Sequence, residues 1–211
     1  AGRGYVLETG CVVVSGSIVT TGEDNSGGSG GAGGEIDVTL PSTGDYVYLT
    51  GTMNTSGGSG NLNGGNAGYV DVNGTNTIWV WGTITARGGS TTGASNSVVA
   101  GNGGPMDFRS ETGVKVNATI DTHGGSASTS GLGATGGNGG YINFPDNGSV
   151  WLFGSMDTSG GSASAVSGNP ITGGNGGGVG GGGGFKGFYV KGLGTTSSRG
   201  GSGSGFGGFG G

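Results

Sequence analysis

One histidine and one cysteine bound the reactive chemistry of this chain. His123 lies between Asp121-Thr122 and Gly124-Gly125, and Cys11 is more than one hundred positions away. A lone imidazole cannot form a His-pair metal site, and a lone thiol can form neither an internal disulfide nor a Cys-cluster site. The spacing of Ser, His, Cys and Asp matches no nucleophile motif. The expectation is a protein without enzymatic activity and without a cofactor, with His123 on a polar loop and Cys11 as a small strand residue.

Two other sets of side chains recur at near-regular intervals and so can act together. Asp37, Asp71, Asp107 and Asn143 each follow one apolar residue of a short apolar-x-apolar segment. Carboxylates stacked at the ~4.8 Å spacing of β-strands repel, and need a cation, a shared proton or free access to water. A calcium ladder would satisfy them, because hard cations take oxygen ligands. The Gly-Gly-x-Gly-x-Asp calcium repeat is not matched, since each aspartate falls inside the apolar segment. The expectation is therefore an exposed polar column. The second set is aromatic. Equivalent positions carry Val13, Tyr48, Trp79, Lys115, Trp151 and Lys191, and a neighbouring set carries Ser15, Thr50, Trp81, Asn117, Phe153 and Leu193. Tyr48, Trp79, Trp81, Trp151 and Phe153 thus share one face. Either a neighbouring segment of the chain covers that face, or it packs on another protein or stacks on sugars.

Asn54, Asn73, Asn117 and Asn147 each open an Asn-x-Ser/Thr acceptor pattern. In a chain this rich in Asn, Ser and Thr such matches also arise by chance.

What positions these residues is a repeat of about 35 residues. Its anchors Ile18, Met53, Ile84, Ile120 and Met156 are separated by 35, 31, 36 and 36 positions. With 62 glycines and 4 prolines in 211 residues, the chain would read as low-complexity without that period. With it, the chain reads as a solenoid. Each unit holds a strand b (Gly34-Glu35-Ile36-Asp37-Val38 and its equivalents), a turn, a strand a (Leu49-Thr50-Gly51-Thr52-Met53 and its equivalents) and a Gly-rich arm. The units run roughly over 4–33, 34–67, 68–103, 104–139, 140–177 and 178–211, and form one repeat domain. Glycine costs about 1 kcal/mol per helical position, and no 3.6-residue apolar period is present, so helices are excluded.

Period-2 alternation turns Ile36, Val38, Val70, Val72, Met106, Phe108, Ile142 and Phe144 inward from strand b. It turns the five anchors inward from strand a, with Val47, Leu49, Ile78, Val80, Val114, Val116, Val150 and Leu152. A single coil cannot bury both strands, whereas parallel stacking of coils can. The arms, such as 124–140 and 160–177, recur in phase with the strands. We expect them to be ordered, extended, polyproline-II-like chains packed backbone to backbone, because glycine leaves no side chain between them.

Short β segments followed by Gly-Gly-Asn-Gly-Gly and another apolar strand resemble the Gly-rich parallel β-helix repeats of secreted bacterial surface proteins, of the filamentous-haemagglutinin and autotransporter-passenger kind. The arms resemble the polyglycine-II sandwiches of phage tail-tip adhesins. The resemblance implies an all-β solenoid of about six coils and an extracellular adhesive or fibrous role, and it carries no catalytic residues. Net charge is −5 and the seven basic residues are scattered, which argues against a nucleic-acid partner. No apolar run reaches the ~20 residues of a membrane helix, so no membrane insertion is expected. The chain begins at Ala1 without a Met, as after removal of a leader or trimming of a longer sequence.

Strand b opens the chain at Tyr5, Val6 and Leu7, and an arm containing Phe206 and Phe209 closes it, so both ends read as interior coil. The leading expectation is a secreted structural subunit that stacks head to tail on copies of itself. The alternative is an adhesin or carbohydrate-binding module that takes surface glycans on the aromatic face. An ice-binding solenoid would need outward Thr-x-Thr arrays, and the inward phase of Thr20, Thr55, Thr122 and Thr158 speaks against it.

Overall fold

In a computed structural model, residues 3–7, 10–40, 46–94, 97–145, 149–166, 170–180 and 195–205 are described. Among them there is no helix, and every paired strand is parallel to its neighbours. The chain is a β-solenoid. Three long sheets run along its axis. The first holds the b strands Arg3–Leu7, Glu35–Thr39, Val70–Gly74, Met106–Ser110, Ile142–Asn143 and Val179–Gly180. The second holds Cys11–Val14, Tyr46–Leu49, Ile78–Val80, Val114–Val116 and Val150–Leu152. The third holds Ser17–Val19, Thr52–Asn54, Ile84–Thr85, Thr119–Asp121, Ser155–Asp157 and Thr195–Ser197.

The coils that start at Glu35, Val70, Met106 and Ile142 are paired on both sides, and the first and last are partial. The molecule therefore makes about four full turns, fewer than the six expected.

The expected strand a is in fact two strands meeting at a corner. The corner falls on the small residue of the repeat: Gly16, Gly51, Gly82, Ala118 or Gly154. At Gly51, Gly82 and Gly154 two consecutive amides converge on one carbonyl of the preceding coil, as Thr50 N and Gly51 N do on Val14 O (2.9 and 2.7 Å). A Cβ at Gly51 or Gly82 would fall 1.8 or 1.6 Å from the carbonyl oxygen of the corner residue one coil earlier, so the bend needs a small residue.

Alternation assigns the core correctly. Ile36, Val38, Val70, Val72, Met106, Phe108 and Ile142 are fully buried against Val47, Ile78, Val80, Ile84, Val114, Val116 and Ile120. The anchors form one internal column, Ile18↔Met53↔Ile84↔Ile120↔Met156, which Thr196 continues. Inside it Phe108 and Phe144 stack at 5.6 Å.

The arms are ordered, as their phase with the strands predicts. Each has an outbound and a return leg, and both legs stack on the same legs of the next coil. Thus Gly57 N donates to Arg87 O and Ala67 N to Asn102 O, both at 2.9 Å. The legs are also cross-linked in a zigzag. Gly58 N donates to Gly31 O, Gly65 N to Gly58 O and Gly89 N to Gly65 O, each at 2.8 Å, and the series runs on through Gly101, Gly125, Gly137, Gly161 and Gly174 to Gly201. Successive cross-links within a leg, such as Gly65 and Gly68, lie three residues apart, the period of a polyproline-II-type chain. Alternation did not foresee a second small core at the arm tips. There Val98, Ala100, Ala127, Ala134 and Ala163 are buried between two three-stranded sheets.

Candidate functional site

The second sheet presents the aromatic column in the expected register, Val13↔Tyr48↔Trp79↔Lys115↔Trp151. Strand pairing at ~4.8 Å per step forces these side chains on top of one another. Tyr48 and Trp79 stack with centroids 6.0 Å apart and 14° between planes. Tyr46, two residues earlier on the same strand, lies beside Tyr48 with ring centroids 6.3 Å apart. Lys115 Nζ sits 3.9 Å from the centre of the Trp79 ring and 5.2 Å from that of Trp151, a cation held between two indoles. The broad faces of Tyr48 and Trp79 are therefore spent within the chain. Trp81, set edge-on to Trp79 at 5.6 Å and 81°, is 51% exposed, and Phe153 is 54% exposed. The arm does not fold over these two rings. Lys191 and Leu193 lie outside the described residues.

The aspartate column is also in register, Asp37↔Asp71↔Asp107↔Asn143. It is not the freely solvated column expected from sequence. Asp107 is buried, and Asp71 is partly buried. Arg109, two residues after Asp107, reaches across to Asp71 Oδ2 (2.9 Å) and back to Asp107 Oδ2 (3.2 Å), and Tyr69 donates its hydroxyl to Asp107 Oδ2 (2.6 Å). A guanidinium and a phenol thus do what a cation ladder would do. Burial pushes the Asp71 carboxyl above the usual carboxylate range, with Arg109 opposing and Asp107 and Asp37 adding to the rise. Burial and the bond to Asp107 likewise push the Tyr69 phenol up. Among the described residues, Asp71 Oδ1 and Asp107 Oδ1 are buried without a hydrogen-bond partner.

A second cluster gathers on the third sheet, where Asp121 and Asp157 pair in register and His123 joins them. Ligand atoms of these three lie within 4.8 Å of one another. The donor set is already committed. Asp121 Oδ2 accepts Nε (2.8 Å) and Nη2 of Arg87 from the preceding coil, and Asp121 Oδ1 accepts the His123 amide (3.1 Å) and pairs with its Nδ1 (2.7 Å). Asp157 Oδ1 accepts the Ser159 amide (2.9 Å). Burial alone would raise the Asp121 carboxyl, but the bonds from His123 and Arg87 outweigh it and hold the carboxyl well below the usual range. With both oxygens of its central carboxylate engaged, the cluster reads as an inter-coil clamp rather than a metal centre. His123 is accordingly not the free loop histidine expected from sequence.

Sequence reasoning missed a ladder of asparagines in the return leg. Asn66 Oδ1 accepts the amide of Asn102 (2.8 Å), Asn102 Oδ1 that of Asn138 (2.8 Å) and Asn138 Oδ1 that of Asn175 (2.9 Å). The signal was the Asn that directly follows Gly65, Gly101, Gly137 and Gly174, the centre of Gly-Gly-Asn-Gly-Gly at Asn138 and Asn175. Thr55, Thr122 and Thr158 are fully buried as expected, and Thr20 is partly buried. One hydroxyl column does face outward, Ser17, Thr52, Thr83, Thr119, Ser155 and Thr195. The column beside it holds Val19, Asn54, Thr85, Asp121, Asp157 and Ser197, so Thr-x-Thr occurs there once, at Thr83 and Thr85, and no Thr-x-Thr plane forms.

Among the acceptor asparagines, Asn117 is exposed, Asn54 and Asn73 are partly buried, and Asn147 lies outside the described residues. Of the end residues, Tyr5, Val6 and Leu7 pair by backbone with Asp37, Val38 and Thr39. Phe206 and Phe209 lie outside the described residues. Cys11 is an exposed free thiol.

The arrangement is that of parallel β-helix repeat proteins in general. Set against protein-family models, curated proteins and solved structures, the chain matches none.

Proposed function

We propose that this chain is a structural subunit of an extracellular filament or surface fibre, in which copies stack end to end as further coils. The observation that carries the reading is that equivalent strands of successive coils stack in parallel and in register along one axis, a geometry that coils of another copy can continue. Among the described residues, Cys11–Val14 and Ser17–Val19 pair on one side only, and Ile18 is the one anchor of the internal column left partly exposed. A shallow recess of about 310 Å³ runs along residues 12–18. Unpaired strand edges and a bare core cross-section are what further strands of the same geometry cover. A head-to-tail contact that does not close on itself gives an open fibre. The likeness to filamentous-haemagglutinin and autotransporter-passenger repeats points the same way, as do the low content of charged residues, 9%, and the abundance of Ser, Thr and Asn. Negative-stain microscopy of the purified chain across a concentration series tests it. Fibres whose width is one solenoid are expected. Single short rods at every concentration would remove the reading.

The exposed rings of Trp81 and Phe153 favour a second reading, an adhesin or glycan-binding module. It rests on those two side chains, since Tyr48 and Trp79 have spent their faces on each other and on Lys115. Trp81→Ala should then abolish retention on immobilised glycans and leave the thermal midpoint nearly unchanged.

A further inference from the structure

The two glycine columns that cross-link the arms obey a directional rule. In the outbound leg the stacked positions are Glu23, Gly58, Gly89, Gly125, Gly161 and Gly201, and in the return leg they are Gly31, Gly65, Gly101, Gly137 and Gly174. A Cβ at Gly58 would fall 2.0 Å from Glu23 O, and one at Gly89, Gly125, Gly161 or Gly201 would fall 1.8 to 2.1 Å from the carbonyl of the same column one coil earlier. In the return leg Gly65, Gly101, Gly137 and Gly174 meet the preceding carbonyl at 1.8 or 1.9 Å. The pro-side-chain direction in both columns thus points at the preceding coil. Glycine fills all nine positions that have a coil beneath them. The one side chain in either column is Glu23, in the first coil, where it is exposed.

The strand half of the same coil behaves differently. Gly16 heads the corner column, and a Cβ there meets nothing within 4 Å, whereas one at Gly51 or Gly82 strikes the coil beneath, and Ala118 is the one residue of the column with a Cβ. The first coil therefore keeps its glycine under the strands and carries a glutamate under the arm.

We propose that Glu23 is a steric stop in the arm stack: a second copy of this chain docks beneath the strand sheets of the first coil, and the two arm stacks part at that junction. The inference rests on the end-to-end reading above. In a seamless stack the Glu23 Cβ would take the place of a glycine hydrogen against the carbonyl of Gly201 in the copy beneath, at the same ~2 Å separation the interior columns show. Under that reading, the stop interrupts an otherwise uniform polyglycine stack at each junction between copies. It also places a carboxylate on the arm's end face, a known defence of exposed strand edges.

Sedimentation velocity over a concentration series tests this on the intact chain as wild type, Glu23→Gly and Glu23→Ala, with far-UV circular dichroism confirming the same fold. Glu23→Gly should lower the concentration of half-assembly by about tenfold or more, as expected from two or so added backbone hydrogen bonds per junction. Glu23→Ala should match wild type, because the Cβ alone blocks the carbonyl. If Glu23→Ala assembles as well as Glu23→Gly, charge and not sterics does the blocking and the stop is wrong. If wild type assembles and Glu23→Gly does so no better, the inference fails and the end-to-end reading stands. If wild type stays monomeric but Glu23→Gly forms fibres, the stop stands and the native filament falls. If all three stay monomeric, both fall.

Discussion

Gly101, in the return leg of an arm, and Gly16, at the corner of the first coil, should respond very differently to the same substitution. A Cβ at Gly101 would fall 1.9 Å from Gly65 O, a backbone atom that cannot swing away. Gly101→Ala should lower stability by about 3 kcal/mol or more, read as a shift in the urea midpoint. Gly16→Ala meets open space and should stay within about 0.5 kcal/mol of wild type. The charged residues divide in the same way. Asp121 is held low by His123 and Arg87, so its folded carboxyl binds a proton less readily than its unfolded one. It contributes stability that is fully present above the ordinary carboxylate range and is lost as the pH falls below about 4. In Asp121→Asn that acid-side loss should flatten. Asp71 has the opposite sign. Its folded carboxyl is raised by burial, so its contribution falls as the pH rises through the ordinary carboxylate range. Arg109→Ala removes the countercharge from both Asp71 and Asp107. It should cost about 1–2 kcal/mol at neutral pH, discounted for the part-exposed guanidinium, and much less near pH 4. A variant equally destabilised at both pH values would show that the guanidinium acts through packing alone.

The arm is the element whose nature decides how rigid this molecule is. Its amides are donors in two directions, along the coil axis and across to the facing leg. Chains of this glycine content are otherwise among the most costly to order, since glycine loses the most backbone freedom. The hydrogen bonds offset that cost only because neighbouring legs come within reach of one another's carbonyls, which any side chain would prevent. Hydrogen exchange should therefore show the amides of Gly89, Gly101, Gly125 and Gly137 protected to the level of Val80 and Val116 in the strands. Exchange at the rate of an unstructured peptide would contradict the ordered arm. In the strands, Ile84→Asp should abolish folding, because its column is dry on both sides and leaves a carboxylate no partner.

At the scale of the whole molecule the solenoid is quasi-one-dimensional, each coil touching only the coils beside it. Charge enters this architecture as clamps between coils, with Arg87 to Asp121 joining the third coil to the fourth, and Arg109 to Asp71 joining the same pair on another face. Losing a clamp should loosen one junction and leave distant coils intact. Under end-to-end stacking the native assembly should protect the amides of Cys11–Val14 and Ser17–Val19, which are edge strands in the single chain. Hydrogen exchange of assembled against dilute protein checks this, and equal protection in both would count against stacking at that edge.

The 35-residue period and the two-residue alternation were enough to place the core. Each residue assigned inward in strands a and b is buried or, like Ile18, packed partly against the core, because a stacked strand admits only one phase to a dry interior. The register of the aromatic and aspartate columns was legible for the same reason: equal spacing from an anchor means equal height in the stack. What each column does was not legible. Tyr48, Trp79 and Lys115 read as a platform in sequence but consume one another's faces once stacked. Asp71 and Asp107 read as solvated until Arg109 and Tyr69 close over them. The direction of the glycine rule, and with it the odd place of Glu23, depends on which way each Cα–H bond points relative to the coil beneath. That is set by the hand and packing of the two arm legs, and residue spacing along a chain does not encode it.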